Sequence, residues 1–255
     1  MKAKLTILLL ALVFVFANEA CANQLNQARS LFYQGNSYYS EEEFEQAIAG
    51  YEGALTLGLA SGALYYNLGN AYFKHGVLGK AVLNYLRARR MIPRDADLKS
   101  NLSYAQSLIK VGKIVPQRNW FMRLFFNLAG SFSLNGLLSL SSFLYFALAS
   151  LVILLITAKR LRRVLTYSIY PLIAALIISA TLFFTQFSQG VVQRQAVVIV
   201  ESADSRFEPF AAATTHFTLY EGESVFVTGA KEDWVRIRRL DGRGGWLKQS
   251  DIELL

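Results

Sequence analysis

Two stretches of this chain carry no charge, and they constrain everything around them. Leu137 to Ile156 is twenty residues long and Tyr167 to Phe187 is twenty-one. A helix rises about 1.5 Å per residue, so each run matches the thickness of a bilayer core. A chain of 255 residues has no soluble core large enough to hide both. The reading is a membrane-spanning hairpin with helices at 137–157 and 167–187. Pro171 falls in the first turn of the second run, where a missing N–H does little harm. Neither run holds Asp, Glu, Lys, Arg or His. Ionisable residues in a membrane mark ion paths and proton relays, so their absence disfavours a channel or a pump. Ser139, Ser141, Ser142 and Ala147 are small enough either to admit another helix closely or simply to face lipid.

Charge sets the topology. The net charge is +8, but seven of the eight excess positive charges lie in 113–189, around the apolar runs. That distribution marks membrane topology and argues against a nucleic-acid stripe. Lys159, Arg160, Arg162 and Arg163 lie in the loop 158–166 between the spans and place it in the cytoplasm. The N-terminus gives an independent signal. Lys2 and Lys4 precede an apolar run from Leu5 to Ala17, and Ala20-Cys21-Ala22 closes it. This is the layout of a secretory signal peptide over 1–22, cleaved after Ala22. Cleavage there removes the one cysteine of the chain, and with it any thiol chemistry. Both signals put the segments before and after the hairpin on the exported side. Arg118 and Arg123, on that side, are the only dissent.

The segment 23–112 repeats itself. At a spacing of 34 residues, Gly35 pairs with Gly69, Tyr38 with Tyr72, Ala47 with Ala81, Tyr51 with Tyr85 and Ala54 with Ala88. The period and pattern resemble the tetratricopeptide repeat, an all-α array of helix pairs, in copies at 28–61 and 62–95. The second copy carries Tyr65, Leu68-Gly69, Tyr72, Ala81, Tyr85, Ala88 and Pro93; in the first, Leu59 stands at the place of the final Pro. Small Gly69 and Ala81 allow two helices to cross closely, beside large Tyr72 and Tyr85. Ser40-Glu41-Glu42-Glu43 reads as a capping box opening the second helix of the first copy. Asp95 caps a terminal helix at 96–110. Two copies and a cap make a short array, which is expected to gain stability from self-association, from a partner or from the membrane.

The resemblance implies a groove lined by the first helix of each pair. Carried over by position, it holds Phe32, Asn36 and Tyr39, then Tyr66, Asn67, Asn70 and Lys74, then Asn101. Asn36 and Asn67 fall at the asparagine positions of members that clamp a peptide carboxylate. The basic positions of that clamp read Phe32, Asp97 and Asn101, so capture of a free carboxylate is not expected. A neutral groove of aromatic rings and amides is. The alternative is that Asn67 and Asn70 only bridge helices.

Trp120-Phe121-Met122-Arg123-Leu124-Phe125-Phe126, within the juxtamembrane stretch 113–136, is aromatic and basic and suits the headgroup layer. After the hairpin the period changes to two. Strands are expected at 196–200, 224–227 and 234–238, with turns at Glu221-Gly222-Glu223 and Asp241-Gly242-Arg243-Gly244. About five short strands in so few residues suggest a small barrel. Leu219 and Gly222, Asp233-Trp234-Val235, and Asp241-Gly242-Arg243 with Gly245-Trp246-Leu247 resemble all-β bacterial SH3-like domains over 190–255. In a barrel this small both Trp234 and Trp246 can be core. Alternatively they form a ligand face.

The order of parts, with Tyr65 to Tyr72, the hairpin and Gly245-Trp246, is similar to the BatE-like proteins of the bacterial Bat aerotolerance operon. That resemblance implies a protein of the bacterial inner membrane with both globular domains in the periplasm. It also implies partners that are membrane proteins with von Willebrand factor A domains, in a complex serving envelope or oxidative stress. Two functions are then open: an interaction adaptor, or a sensor that binds peptidoglycan through the tail. The tail is net −2 and lacks a clear basic or aromatic cluster, which argues against the second. No catalytic arrangement, cofactor motif or metal-ligand spacing is legible. Gly79-Lys80 lacks the spacing and the Ser or Thr of a phosphate loop.

Overall fold

A computed structural model describes residues 22–110, 119–157, 162–188 and 194–255. The signal-peptide reading, and Lys159 and Arg160 of the basic loop, lie outside these residues.

Five helices form the N-terminal part: α1 (22–40), α2 (Phe44–Thr56), α3 (Gly62–Lys74), α4 (Leu78–Met91) and α5 (Ala96–Ser107). The 34-residue spacing holds at the atomic level. A Cβ on Gly35 would stand 2.7 Å from the Tyr51 ring, and one on Gly69 would stand 2.6 Å from the Tyr85 ring. Each tyrosine ring therefore packs directly against a glycine of its partner helix. Tyr51, Tyr85, Leu64, Leu68, Leu83 and Leu86 fill the core between the helices. The Asp95 carboxylate accepts from the N–H of Leu98, 2.8 Å away, and starts α5 as expected. The capping box at Ser40 does not form. Helix α1 runs through Ser40, whose hydroxyl turns back to the carbonyl of Ser37, and Glu42 takes φ +63. Glu43 then starts α2 without a side-chain cap.

Helix α6 (Trp120–Gly130) precedes two long apolar helices, α7 (Leu134–Thr157) and α8 (Arg162–Phe187). Each is long and apolar enough to cross a membrane. Both extend beyond the uncharged runs, and α8 takes up part of the stretch read as a loop. The two pack as a hairpin in which the hydroxyls of Ser141 and Ser179 meet at 2.8 Å. Ser141 thus serves this chain's own hairpin. Gln186 donates to the carbonyls of Ala129 and Phe132, which ties the end of α6 to α8. Arg94 donates to Ser131 O at 2.9 Å and lies over the Phe132 ring, joining the helical repeat to the same corner.

The C-terminal part is one antiparallel sheet of seven strands in the order β3-β2-β6-β5-β4-β1-β7. Its strands are β1 (Arg194–Val198), β2 (Ser202–Arg206), β3 (Thr215–Tyr220), β4 (Ser224–Lys231), β5 (Trp234–Arg239), β6 (Gly244–Lys248) and β7 (Ile252–Leu254). Gly222 (φ +84) and Gly242 (φ +94) make the two expected turns, in a conformation that favours glycine. The expected barrel of about five strands is instead a larger sheet, open between β3 and β7. One apolar cluster draws on every strand: Ala196, Val198, Ala203, Phe217, Leu219, Val225, Val235, Ile237, Leu247 and Ile252. At its margin, Arg239 is buried beside Glu223 (3.6 Å) and Asp241 (3.4 Å).

The sheet docks on α4. Val197, on the opposite face of β1 from Ala196 and Val198, packs into the core of the repeat. The Glu221 carboxylate accepts from the N–H of Gly79 at 2.7 Å. Val77, at the N-cap of α4, offers no side-chain cap, so a residue 142 positions away completes the helix. Gly79 is required there, because a Cβ would lie 2.6 Å from the carbonyl of Val198. Arg87 donates to Glu253 (3.0 Å) and to Leu254 O (2.6 Å) at the other end of the contact. The short array thus gains a neighbour from its own chain.

Candidate functional site

The second helix of the second pair, α4, is covered by the sheet. The first helices, α1, α3 and α5, present a different surface, where asparagines and tyrosines join in a ladder. Asn36 Oδ1 accepts from the Tyr51 hydroxyl (2.9 Å) and from Asn67 Nδ2 (2.9 Å). One period later, Asn70 Oδ1 accepts from the Tyr85 hydroxyl (2.8 Å) and from Asn101 Nδ2 (3.1 Å). Asn101 Nδ2 also reaches the Tyr66 hydroxyl at 3.0 Å. The pairs 36 and 70, 51 and 85, and 67 and 101 are all related by 34 residues, so the repeat includes its hydrogen bonds.

Asn36, Tyr39, Tyr51, Asn67 and Asn70 line one cleft of about 150 Å³. Four of these five are groove residues named from the sequence. Tyr66 and Asn101 adjoin the cleft through Asn70 and each other. Phe32 does not line it: it packs on Tyr51 (5.9 Å between ring centres) and belongs to the margin of the core. Lys74 is exposed in the last turn of α3, outside the cleft. Tyr51 was legible only as a helix-packing residue. The signal that could have found it is the shared fifteen-residue spacing of Asn36–Tyr51 and Asn70–Tyr85.

Each ladder carbonyl accepts two bonds and is saturated. The Nδ2 groups of Asn36 and Asn70 donate to no described residue and remain available. Burial, helped by the neighbouring Tyr39, pushes the Tyr51 hydroxyl up to about 12. Burial raises the Tyr85 hydroxyl as well. Both phenols stay protonated donors at neutral pH, and the cleft is uncharged. It offers amide donors between aromatic walls, a match for carbonyl groups of an extended backbone.

No family model matches the chain. No curated protein matches it either. Among solved structures the chain is similar to the Arabidopsis OM64 TPR domain, with a TM-score of 0.32 and 14% identity, covering 42% of this chain and 78% of that one. The helical repeat rests on its own internal period.

Trp234 and Trp246 do not enter the sheet's core cluster. Both are half-buried on the outer face of β5 and β6, opposite to Val235, Ile237 and Leu247. The reading of both as core is therefore corrected: the pleat puts their positions on the side away from the core. The Gly79-Lys80 pair is also accounted for. The helix terminus at Gly79 is occupied by Glu221, and Lys80 donates to the Tyr72 hydroxyl at 3.2 Å.

Proposed function

We propose that this chain is a membrane-anchored, non-catalytic interaction adaptor whose repeat groove holds an extended segment of a partner protein. The observation that carries this reading is the ladder. Its carbonyls are satisfied internally, while Asn36 and Asn70, which line an uncharged aromatic cleft, have amide groups that donate to no described residue. Such a surface pairs with main chain and does not select for charge.

The contact between repeat and sheet supports the topology. The repeat precedes the apolar hairpin and the sheet follows it, yet Gly79 and Glu221 meet. Two spans return the chain to the side it left, so both domains stand together on one side of the bilayer. The signal-peptide pattern and the basic loop support the exported side of a bacterial inner membrane. In this reading the sheet is an SH3-like unit that holds the repeat, and α6 lies in the headgroup layer. Partners are membrane proteins with exported von Willebrand factor A domains, in a Bat-type complex of the cell envelope.

The test exploits the ladder's polarity. Asn36→Asp with Asn70→Asp keeps every accepting oxygen, removes the two free donors and sets carboxylates against the carbonyls of a bound backbone. In-cell crosslinking and mass spectrometry of the purified protein are expected to recover one or two membrane proteins with the native chain. The double variant is expected to lose them at unchanged melting temperature. Equal partner recovery from both chains refutes the groove.

A further inference from the structure

The outer face of β5 and β6 carries a pattern that the linear sequence conceals. The register sets Trp234 opposite Lys248, Arg236 opposite Trp246 and Arg238 opposite Gly244. Phe226 of β4 lies opposite Arg238 and continues the row. Trp234, Arg236 and Arg238 alternate with the inward Val235, Ile237 and Arg239, so they share one face. Trp246 and Lys248 alternate with Gly245 and Leu247 and join them. Arg236, Arg238 and Lys248 are exposed, and among the described residues their charged groups form no ion pair. Arg206 of β2 lies opposite Trp246 and adds a cation to the row, while Asp204, outward on the same strand, accepts from the Thr218 hydroxyl at 2.9 Å. Of the other acids, Glu223 and Asp241 face Arg239, Glu221 caps α4, Glu253 pairs with Arg87, and Glu232 and Asp233 sit in the turn before β5.

We propose that this face rests on the anionic phosphates of the membrane in which the chain's own hairpin is embedded. The inference rests on the membrane-anchored reading above. Three features commit it to lipid. Unpaired cations meet a negative surface, and basic residues near such a surface each strengthen adhesion. Tryptophans with an apolar body and a polar N–H, beside basic side chains, are the composition of a bilayer interface. The tether is short: β1 begins at Arg194 and α8 ends at Phe187, which allows roughly 25 Å of extended chain. The face is also clear of the repeat, whose contacts run through Val197, Glu221, Gly222 and Glu253.

The test uses the full chain in nanodiscs. Trp120→Phe leaves Trp234 and Trp246 as the remaining tryptophans of the three in the sequence. Their fluorescence is followed with a headgroup spin-labelled lipid as quencher. Discs of pure phosphatidylcholine are compared with discs containing about one third phosphatidylglycerol, a composition that supplies a negative surface. Quenching is expected in the anionic discs and not in the neutral ones. It is expected to fade between about 0.1 M and about 1 M salt, as the screening length shrinks from ~10 Å to ~3 Å. The exposed-site variant Arg236→Gln, Arg238→Gln, Lys248→Gln is expected to abolish it while the melting temperature holds. Equal quenching in both lipids, or quenching that survives the triple variant, overturns the proposal. So does an emission change produced by murein fragments and not by anionic lipid, which assigns the face to the cell wall. Failure to enter either disc refutes the membrane anchor itself, an outcome distinct from entry without quenching.

Discussion

The two sides of the helical repeat are built from the same 34-residue period and have opposite fates. On α4 the chain's own sheet covers the surface, with Val197 in the apolar core, Glu221 on the helix terminus and Glu253 on Arg87. On α1, α3 and α5 the Asn–Tyr ladder lines an open cleft, and the Asn36 and Asn70 amides donate to no described residue. The covered side is completed by charge and close backbone approach, the open side by neutral amides. A short array needs a neighbour to bury its flank. By taking that neighbour from the same chain, the protein keeps the other side free for a second one.

Breaking the covered side should have the largest effect. Gly79→Val places a side chain against the carbonyl of Val198, where even a Cβ would approach to 2.6 Å. Overpacking of this kind costs about 3 kcal/mol. Melting should fall, and hydrogen exchange should rise in α4 and β1 together while the groove helices keep their protection. Protection unchanged in β1 would show that the two parts are not joined there. A milder cut is Glu221→Ala, which removes a helix cap and should cost about 1 kcal/mol. Glu221→Gln, keeping an acceptor without the charge, should recover about half of that loss. A urea melt of the detergent-solubilised protein separates the three chains.

The last effect belongs to the open side, is confined to alkaline pH and leaves stability at neutral pH untouched. Tyr51 titrates at about 12 in the folded chain against 10.0 ordinarily, because burial disfavours the phenolate. The folded state holds its proton longer than the unfolded one. The ladder's contribution is therefore complete below pH 10 and is lost as pH rises toward 12. Denaturant midpoints should be flat from neutrality to about pH 10 and then decline. Tyr51→Phe should lower the neutral plateau and flatten part of the decline.

Much of this architecture was legible because it repeats or because it is long. The packing of Tyr85 beside Gly69 and the apolar hairpin follow from spacing and run length, and the positions of Asn36 and Asn67 from the resemblance to the tetratricopeptide repeat. The polar strand Ser202–Arg206 has no apolar alternation and escaped notice, so a seven-stranded sheet looked smaller. Ser40 misled because an Ser-Glu-Glu-Glu string fits a cap equally well whether the preceding helix has ended or not. The docking was out of reach for a different reason: the Glu221–Gly79 bond spans 142 residues and no local pattern encodes it. The basic face was hidden by summation. A tail of net −2 looks acidic until the pleat sorts Arg236, Arg238 and Lys248 to one side.

The central claim is that one side of the repeat is sealed by its own chain while the other receives a partner. A photocrosslinking residue placed at Tyr39 and, separately, at Glu253 tests both halves in cells. The account predicts that the Tyr39 site captures a second polypeptide and that the Glu253 site yields only links within the chain. A second polypeptide captured at Glu253, with none at Tyr39, would contradict it.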